Sequence, residues 1–186
     1  MEVNYQRNKV EQLGFSCLGM TGCHDYAINL NEEVSTYQRN KMASKEFSCS
    51  IDVNIEPKET LNMISRVSDW WVKDVEGSTT KLDDAFTVHF GTTWVSFKIT
   101  ELILDKKVVW QVTDCHLPWN TDLKEWNGTQ LVWEISDEKN QTRINFTHVG
   151  LVRLDCGNQC MNSWGGYVKQ SLFKLITEGE GLPNKF

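Results

Sequence analysis

Cys156 and Cys160 stand four residues apart near the end of the chain. On a helix that spacing puts both thiols on one side, where they could share a metal with further ligands. They could also react, if the helix N-terminus lowers a thiolate pKa. His116 and His148 are the imidazoles that could join them, but a closed zinc site takes four protein ligands and none of the spacings here is a recognised zinc arrangement. As thiols they read more simply as small buried hydrophobes. His148 alternates with Ile144 and Phe146, which places an imidazole that titrates near neutrality on an otherwise apolar strand face. There it could bond a ligand or shuttle a proton, or it could be a core histidine satisfied by backbone near the sheet's edge. Asp114, His116, Asp122 and Glu125 surround Pro118, Trp119 and Trp126 in one long connection, which could lid a pocket or simply be solvated and anchored by its tryptophans. Asp114 and Glu125 are the carboxylates that could work with His148 in acid–base chemistry, provided the fold brings them face to face. No nucleophile elbow, phosphate-cradling glycine loop or metalloprotease helix is present in the sequence.

Such groups need a frame, and the longest element is the last one. From Asp155 to Glu178, Met161, Trp164, Val168, Leu172 and Leu175 recur at helical spacing with Ile176 widening the stripe, while Asn162, Lys169, Gln170 and Lys174 fall on the other side. Gly179 can take the left-handed conformation that closes a helix, and Pro183 forbids a quick restart. One broad apolar face on one long helix requires a sheet to cover it.

The strands lie upstream. Phe47, Cys49, Ile51, Val53 and Ile55 alternate with polar neighbours, the period of a half-buried strand. Pro57 suits the first position of a helix that carries Leu61 and Ile64 to Arg66, and Ser68-Asp69-Trp70-Trp71 reads as a second short helix. Val75 to Lys81 is polar and short, a strand leading to a turn. Phe86 to Phe90, Trp94 to Leu104 and Val108 to Cys115 follow with turns at Gly91-Thr92-Thr93 and Asp105-Lys106-Lys107 between them. Thr129 to Ser136 and Thr142 to Leu151 form a further hairpin around Asp137-Glu138-Lys139-Asn140. Connections this short make the strands antiparallel neighbours. The order implies an α+β fold in which a curved antiparallel sheet and the C-terminal helix cover each other, with two short helices after the first strand.

Composition sets the outer bounds. With 186 residues, 40% of them apolar and eight tryptophans among them, the chain can build one ordinary core. Its formal charge of -6 and the absence of a basic run argue against nucleic acid as a partner. No apolar run is long enough to span a bilayer, and the N-terminus lacks the order of a secretion signal, so a cytoplasmic protein with free thiols is expected. Residues 1–41 are sparse in apolar side chains and broken by Gly14, Gly19 and Gly22; they read as a disordered extension, or as a misread start ahead of Met42-Ala43-Ser44-Lys45. Cys17, Cys23 and His24 lie in that extension and fall short of a metal site. The domain is expected over 42–186.

Several stretches together resemble a known superfamily: Ile55-Glu56-Pro57-Lys58-Glu59, the Trp70-Trp71 pair, Phe146-Thr147-His148-Val149-Gly150-Leu151, and Cys156 through Trp164 to Ser171-Leu172. They look like the START-like, SRPBCC superfamily, and within it like the bacterial homologues of the activator of heat shock protein ATPase. The similarity runs from Glu46 to about Asn184 and is one of whole-domain order. It implies the helix-grip fold, with an apolar cavity between a curved sheet and the C-terminal helix. By that resemblance, and because a curled sheet must fill its concave side with large side chains or leave it partly open, Phe97, Trp110, Trp133, Phe146, His148, Met161, Trp164 and Val168 are expected to line a site for a small hydrophobic molecule. The superfamily includes polyketide cyclase-like and dehydratase-like enzymes that use pocket groups without a metal, which makes His148 with Asp114 or Glu125 the alternative, catalytic reading. The family name also implies a chaperone as a partner. No cofactor is expected, and a monomer or a homodimer is.

Overall fold

The computed structural model describes residues 46–151 and 156–186, which lie within one compact unit, Lys45–Phe186. The expected extension, with Cys17, Cys23 and His24, lies outside the described residues. Seven strands form one antiparallel sheet: β1 (Glu46–Val53), β2 (Asp74–Gly77), β3 (Ala85–Phe90), β4 (Thr93–Ile103), β5 (Lys107–His116), β6 (Gln130–Glu138) and β7 (Gln141–Val149). Their order across the sheet is β1-β7-β6-β5-β4-β3-β2. From β2 to β7 every pair of neighbours in sequence is also a pair in the sheet; β1 alone crosses over, to pair with β7. That crossover is made by α1 (Pro57–Ser65) and α2 (Val67–Trp70).

Alternation selects the inner face. Trp133 pairs with Phe146, Leu131 with His148, Ile135 with Ile144, and Phe86 with Phe97, and all eight are buried. Two register shifts in the β4–β5 pair, at Ser96/Phe97 and at Ile99/Glu101, bend the longest strands where the sheet curls. Asp105 takes φ 63° in the β4–β5 turn and Lys139 φ 53° in the β6–β7 turn, the left-handed conformation that tight hairpins use.

The long helix, α3, covers that face. It is α-helical over Gly157–Gly166, widens to a π-helix over Tyr167–Leu172, and returns to α-helix over Phe173–Glu178. Trp164, Val168, Leu172, Leu175 and Ile176 are buried as the helical stripe requires, while Met161 is half-buried. The wider turn was not legible in the spacing. It puts Tyr167, Val168, Ser171 and Leu172 all on the buried side. Ser171 Oγ donates to the Trp70 carbonyl at 2.5 Å and accepts from the Leu182 amide at 2.6 Å, which ties α3 to α2 and to the returning C-terminal segment. Gly179, at φ 83°, closes the helix as expected.

Candidate functional site

The residues expected to line a cavity are brought together, and most of them are packed against one another. Trp133 and Phe146 ring centroids are 4.5 Å apart, Phe146 and Trp164 4.7 Å, and Trp71 and Trp164 4.7 Å. Trp110 meets Trp133 at 5.5 Å and Phe86 at 5.2 Å, and Phe86 stacks on Phe97 at 5.0 Å. Phe97, Trp133 and Phe146 from the sheet and Trp164 and Val168 from α3 are thereby side chains of the core. Tilted and edge-on geometries at these distances are the ones aromatic quadrupoles favour.

Trp110 is different because it also borders an opening. Between α1 and the β4–β5 hairpin lies a cleft of about 310 Å³. Leu61 and Ile64 line it from the helix, and Leu102, Leu104, Val108 and Trp110 from the strands. Lys58, Asn62, Thr79, Thr80 and Asp105 supply polar groups. Thr79 Oγ1 donates to the Ser65 carbonyl at 2.7 Å and fixes the β2–β3 connection against α1. Leu61, Leu102, Leu104 and Val108 were not singled out from the sequence; the apolar face of α1 was legible, but its facing hairpin comes from a distant part of the chain.

Five of the six buried indoles divide into two groups. Trp70 Nε1 donates to the Ile64 carbonyl at 3.0 Å, Trp126 Nε1 to Cys156 Sγ at 3.3 Å, and Trp164 Nε1 to His148 Nδ1 at 3.0 Å. Trp110 Nε1 and Trp133 Nε1 are buried and meet no acceptor among the described residues. A buried donor left unpaired costs about 1–3 kcal/mol, so two on touching rings single out this place in the core.

His148 is fully buried and occupied on both nitrogens. An indole N–H can only donate, so Nδ1 is the acceptor from Trp164 and the proton of the neutral ring sits on Nε2. Nε2–H then donates to Thr129 Oγ1 at 3.0 Å, and the Thr129 hydroxyl donates to the Trp126 carbonyl at 2.7 Å. Burial pushes the His148 pKa down from 6.5 to about 3, so the ring is neutral across the physiological range.

The carboxylates lie in other company. Asp114 pairs with Lys124 Nζ at 2.6 Å and accepts from Asn127 Nδ2 at 3.3 Å, and the Lys124 bond holds its carboxyl below the usual range. Glu125 accepts from the Asn120 amide. His148 is held by Thr129 and Trp164 rather than by either carboxylate. In the connection after β5, Trp126 is the buried anchor, with its ring 4.9 Å from His148, while Trp119 is 52% exposed. His116 stacks on Trp94 at 6.4 Å, away from the thiol pair in its contacts. Cys156 and Cys160 are buried free thiols with Sγ atoms 2.7 Å apart. Among the described residues no group of three or more His, Cys, Asp or Glu is placed to hold a metal, and no helix is long and apolar enough to cross a membrane.

No family model and no curated protein matches the chain. Solved structures do. The Aha1 dimer from Colwellia psychrerythraea superposes with a TM-score of 0.60 at 23% identity, over 73% of this chain and 98% of that one. DynU16, from the dynemicin biosynthetic locus, gives 0.59 at 13% identity over 74% of this chain; the match spans only 49% of DynU16. CalU16 from Micromonospora echinospora gives 0.50 at 12% identity, over 71% of this chain and 74% of that one. At these identities the likeness is one of fold, and the fold is the helix-grip arrangement that the sequence resemblance implied.

Proposed function

We propose that this helix-grip domain binds a small, mostly apolar molecule in the cleft between α1 and the β4–β5 hairpin, and that a hydrogen-bond acceptor on the guest reaches Trp110 Nε1. The observation that carries the reading is the double character of Trp110. It lines an apolar opening, and its fully buried Nε1 meets no acceptor among the described residues, so a guest that reaches it displaces a side chain of the cleft wall. A cleft of about 310 Å³ is at the small end of ligand sites, which suits a compact ring system better than a long chain. The packed rings of Trp133, Phe146 and Trp164 form the wall behind it. Of the residues first expected to touch the guest, Trp110 is the contact, and Phe97 and Trp133 pack against its ring.

The cyclase-like alternative draws less from the geometry, because both nitrogens of His148 are engaged and Asp114 is paired with Lys124. A test uses 2-acetylnaphthalene, which carries a carbonyl acceptor, and 2-ethylnaphthalene, which lacks it. The ketone should bind more tightly by about 5-fold, the worth of one hydrogen bond of about 1 kcal/mol, and Trp110→Phe should remove that difference. Leu61→Trp, which fills the cleft from α1, should weaken both probes. Equal binding of the two probes to the unaltered protein, or no effect of Leu61→Trp, would overturn the reading.

A second reading follows from the Aha1 likeness, since that protein is a dimer. Trp119 and Leu123 are 52% and 42% exposed in the same connection, and Ile103 and Leu104 are exposed at the β4–β5 hairpin. Exposed apolar groups of this kind suit self-association or contact with a protein partner such as a chaperone. Light scattering across concentrations tests it: a dimer mass that Trp119→Ser reduces to the monomer supports the reading, and a monomer throughout ends it.

A further inference from the structure

The thiol pair at the start of α3 has no part in the proposed binding site. Cys156 Sγ receives two hydrogen bonds, from the Cys160 thiol at 2.7 Å and from Trp126 Nε1 at 3.3 Å. Cys156 is the N-cap residue of α3, at φ -76° and ψ -5°, and its carbonyl accepts the first helical bond, from the Cys160 amide at 3.0 Å, so its backbone is half within the helix that holds Cys160. A disulfide bond is about 2.04 Å long, so the two sulfurs need to approach by only about 0.7 Å to form one.

We propose that Cys156 and Cys160 form a reversible dithiol–disulfide couple, with Cys156 as the attacking thiol and Cys160 as the resolving one. The roles follow from the hydrogen bonds. Cys156 Sγ is the acceptor of the Trp126 indole N–H, a group that can only donate; donation by Cys160 and by Trp126 lowers its pKa, against burial and against the charge and hydrogen bond of Glu125, which raise it. Cys160 is the donor and is pushed up by the same bond and by burial. The helix N-terminus adds to the stabilisation of a Cys156 thiolate.

The exchange needs a small disulfide as oxidant. Cys156 thiolate attacks one sulfur of the oxidant, forming a mixed disulfide and releasing one thiolate. Cys160 then attacks Cys156 Sγ and expels the second thiolate. The two protons of the cysteine thiols end on the two released thiols, and the two electrons lost by the pair have reduced the oxidant. Cys49 and Cys115, the other described cysteines, share neither feature: burial raises both, and neither has a thiol neighbour among the described residues.

The test treats the full chain with glutathione disulfide and reads masses after digestion with trypsin. Cleavage after Arg153 and Lys169 releases one peptide that contains both cysteines and no other. That peptide is expected to lose the mass of two hydrogen atoms and to regain it with dithiothreitol. A chain with Cys17, Cys23, Cys49 and Cys115 all changed to Ser should do the same. Cys160→Ser should stop at a glutathione adduct on Cys156, and Cys156→Ser should react slower by about 10-fold or more, as loss of the lower-pKa thiol requires. No loss of two hydrogens from the peptide, or adducts that collect on Cys160 in preference to Cys156, would overturn the proposal.

Discussion

Trp164 Nε1 donates to His148 Nδ1 at 3.0 Å, and this single bond fixes the tautomer of a buried imidazole and the direction of every hydrogen bond after it. The relay runs from α3 through β7 to the residue before β6 and ends on the Trp126 carbonyl. It fastens the long helix to the sheet about two turns before Ser171.

Removing the imidazole should be expensive. His148→Phe puts a somewhat larger apolar ring in the same place and leaves the Trp164 N–H without its acceptor and the Thr129 hydroxyl without its donor, at an expected cost of about 2–4 kcal/mol. Thr129→Val, which leaves the His148 N–H unpaired while the Trp126 carbonyl loses the hydroxyl but keeps the Thr129 amide, should cost about 1–3 kcal/mol. Urea denaturation of the three proteins measures both.

The same burial makes stability depend on pH. The folded pKa of His148, about 3, is depressed below its ordinary 6.5, so the unfolded chain takes up a proton in that window and the folded one does not. The stabilisation is fully present above pH 6.5 and is lost as pH falls toward 3, with a slope of at most about 1.4 kcal/mol per pH unit. His148→Phe should show a shallower decline over the same window in urea midpoints measured at successive pH values.

Two glycines separate fixed from yielding neighbours. A Cβ on Gly181 would stand 2.4 Å from the Asp69 carbonyl oxygen and 3.0 Å from Trp70 Cα, both backbone atoms. On Gly166 it would meet the Phe186 ring at 2.5 Å, a side chain at the chain's end that can turn away. Gly181→Ala is expected to cost about 1–3 kcal/mol, and Gly166→Ala less, as thermal melts of the two variants can show.

The succession of strands, the hairpins, the helix that begins at Pro57 and the buried stripe of α3 were legible, because each rests on spacing within one short stretch; the pairing of β1 with β7 joins distant segments and was not. The alternation of Ile144, Phe146 and His148 likewise placed the imidazole on the inner face. What surrounds it was not legible. Thr129 and Trp164 come from other elements, and only three-dimensional packing brings them to the two ring nitrogens. The cleft escaped notice for the same reason, since its walls are α1 and a hairpin that starts about forty residues later. The π-helical turn leaves no mark in the apolar pattern: Ser171 is the polar residue it buries, and its partners Trp70 and Leu182 are distant in sequence. Asp114 and Glu125 were the alternative partners of His148, on the condition that the fold brought them face to face; Lys124, from the connection after β5, takes Asp114 instead.

Where a guest's acceptor meets the Trp110 indole N–H, the indole region of a ¹H–¹⁵N correlation spectrum reads that atom directly. With the cross-peaks assigned by single Trp→Phe variants, saturating 2-acetylnaphthalene should move the Trp110 peak downfield, and 2-ethylnaphthalene should move it much less. A Trp110 peak that stays in place while the ketone binds, or that responds alike to both compounds, would contradict the account.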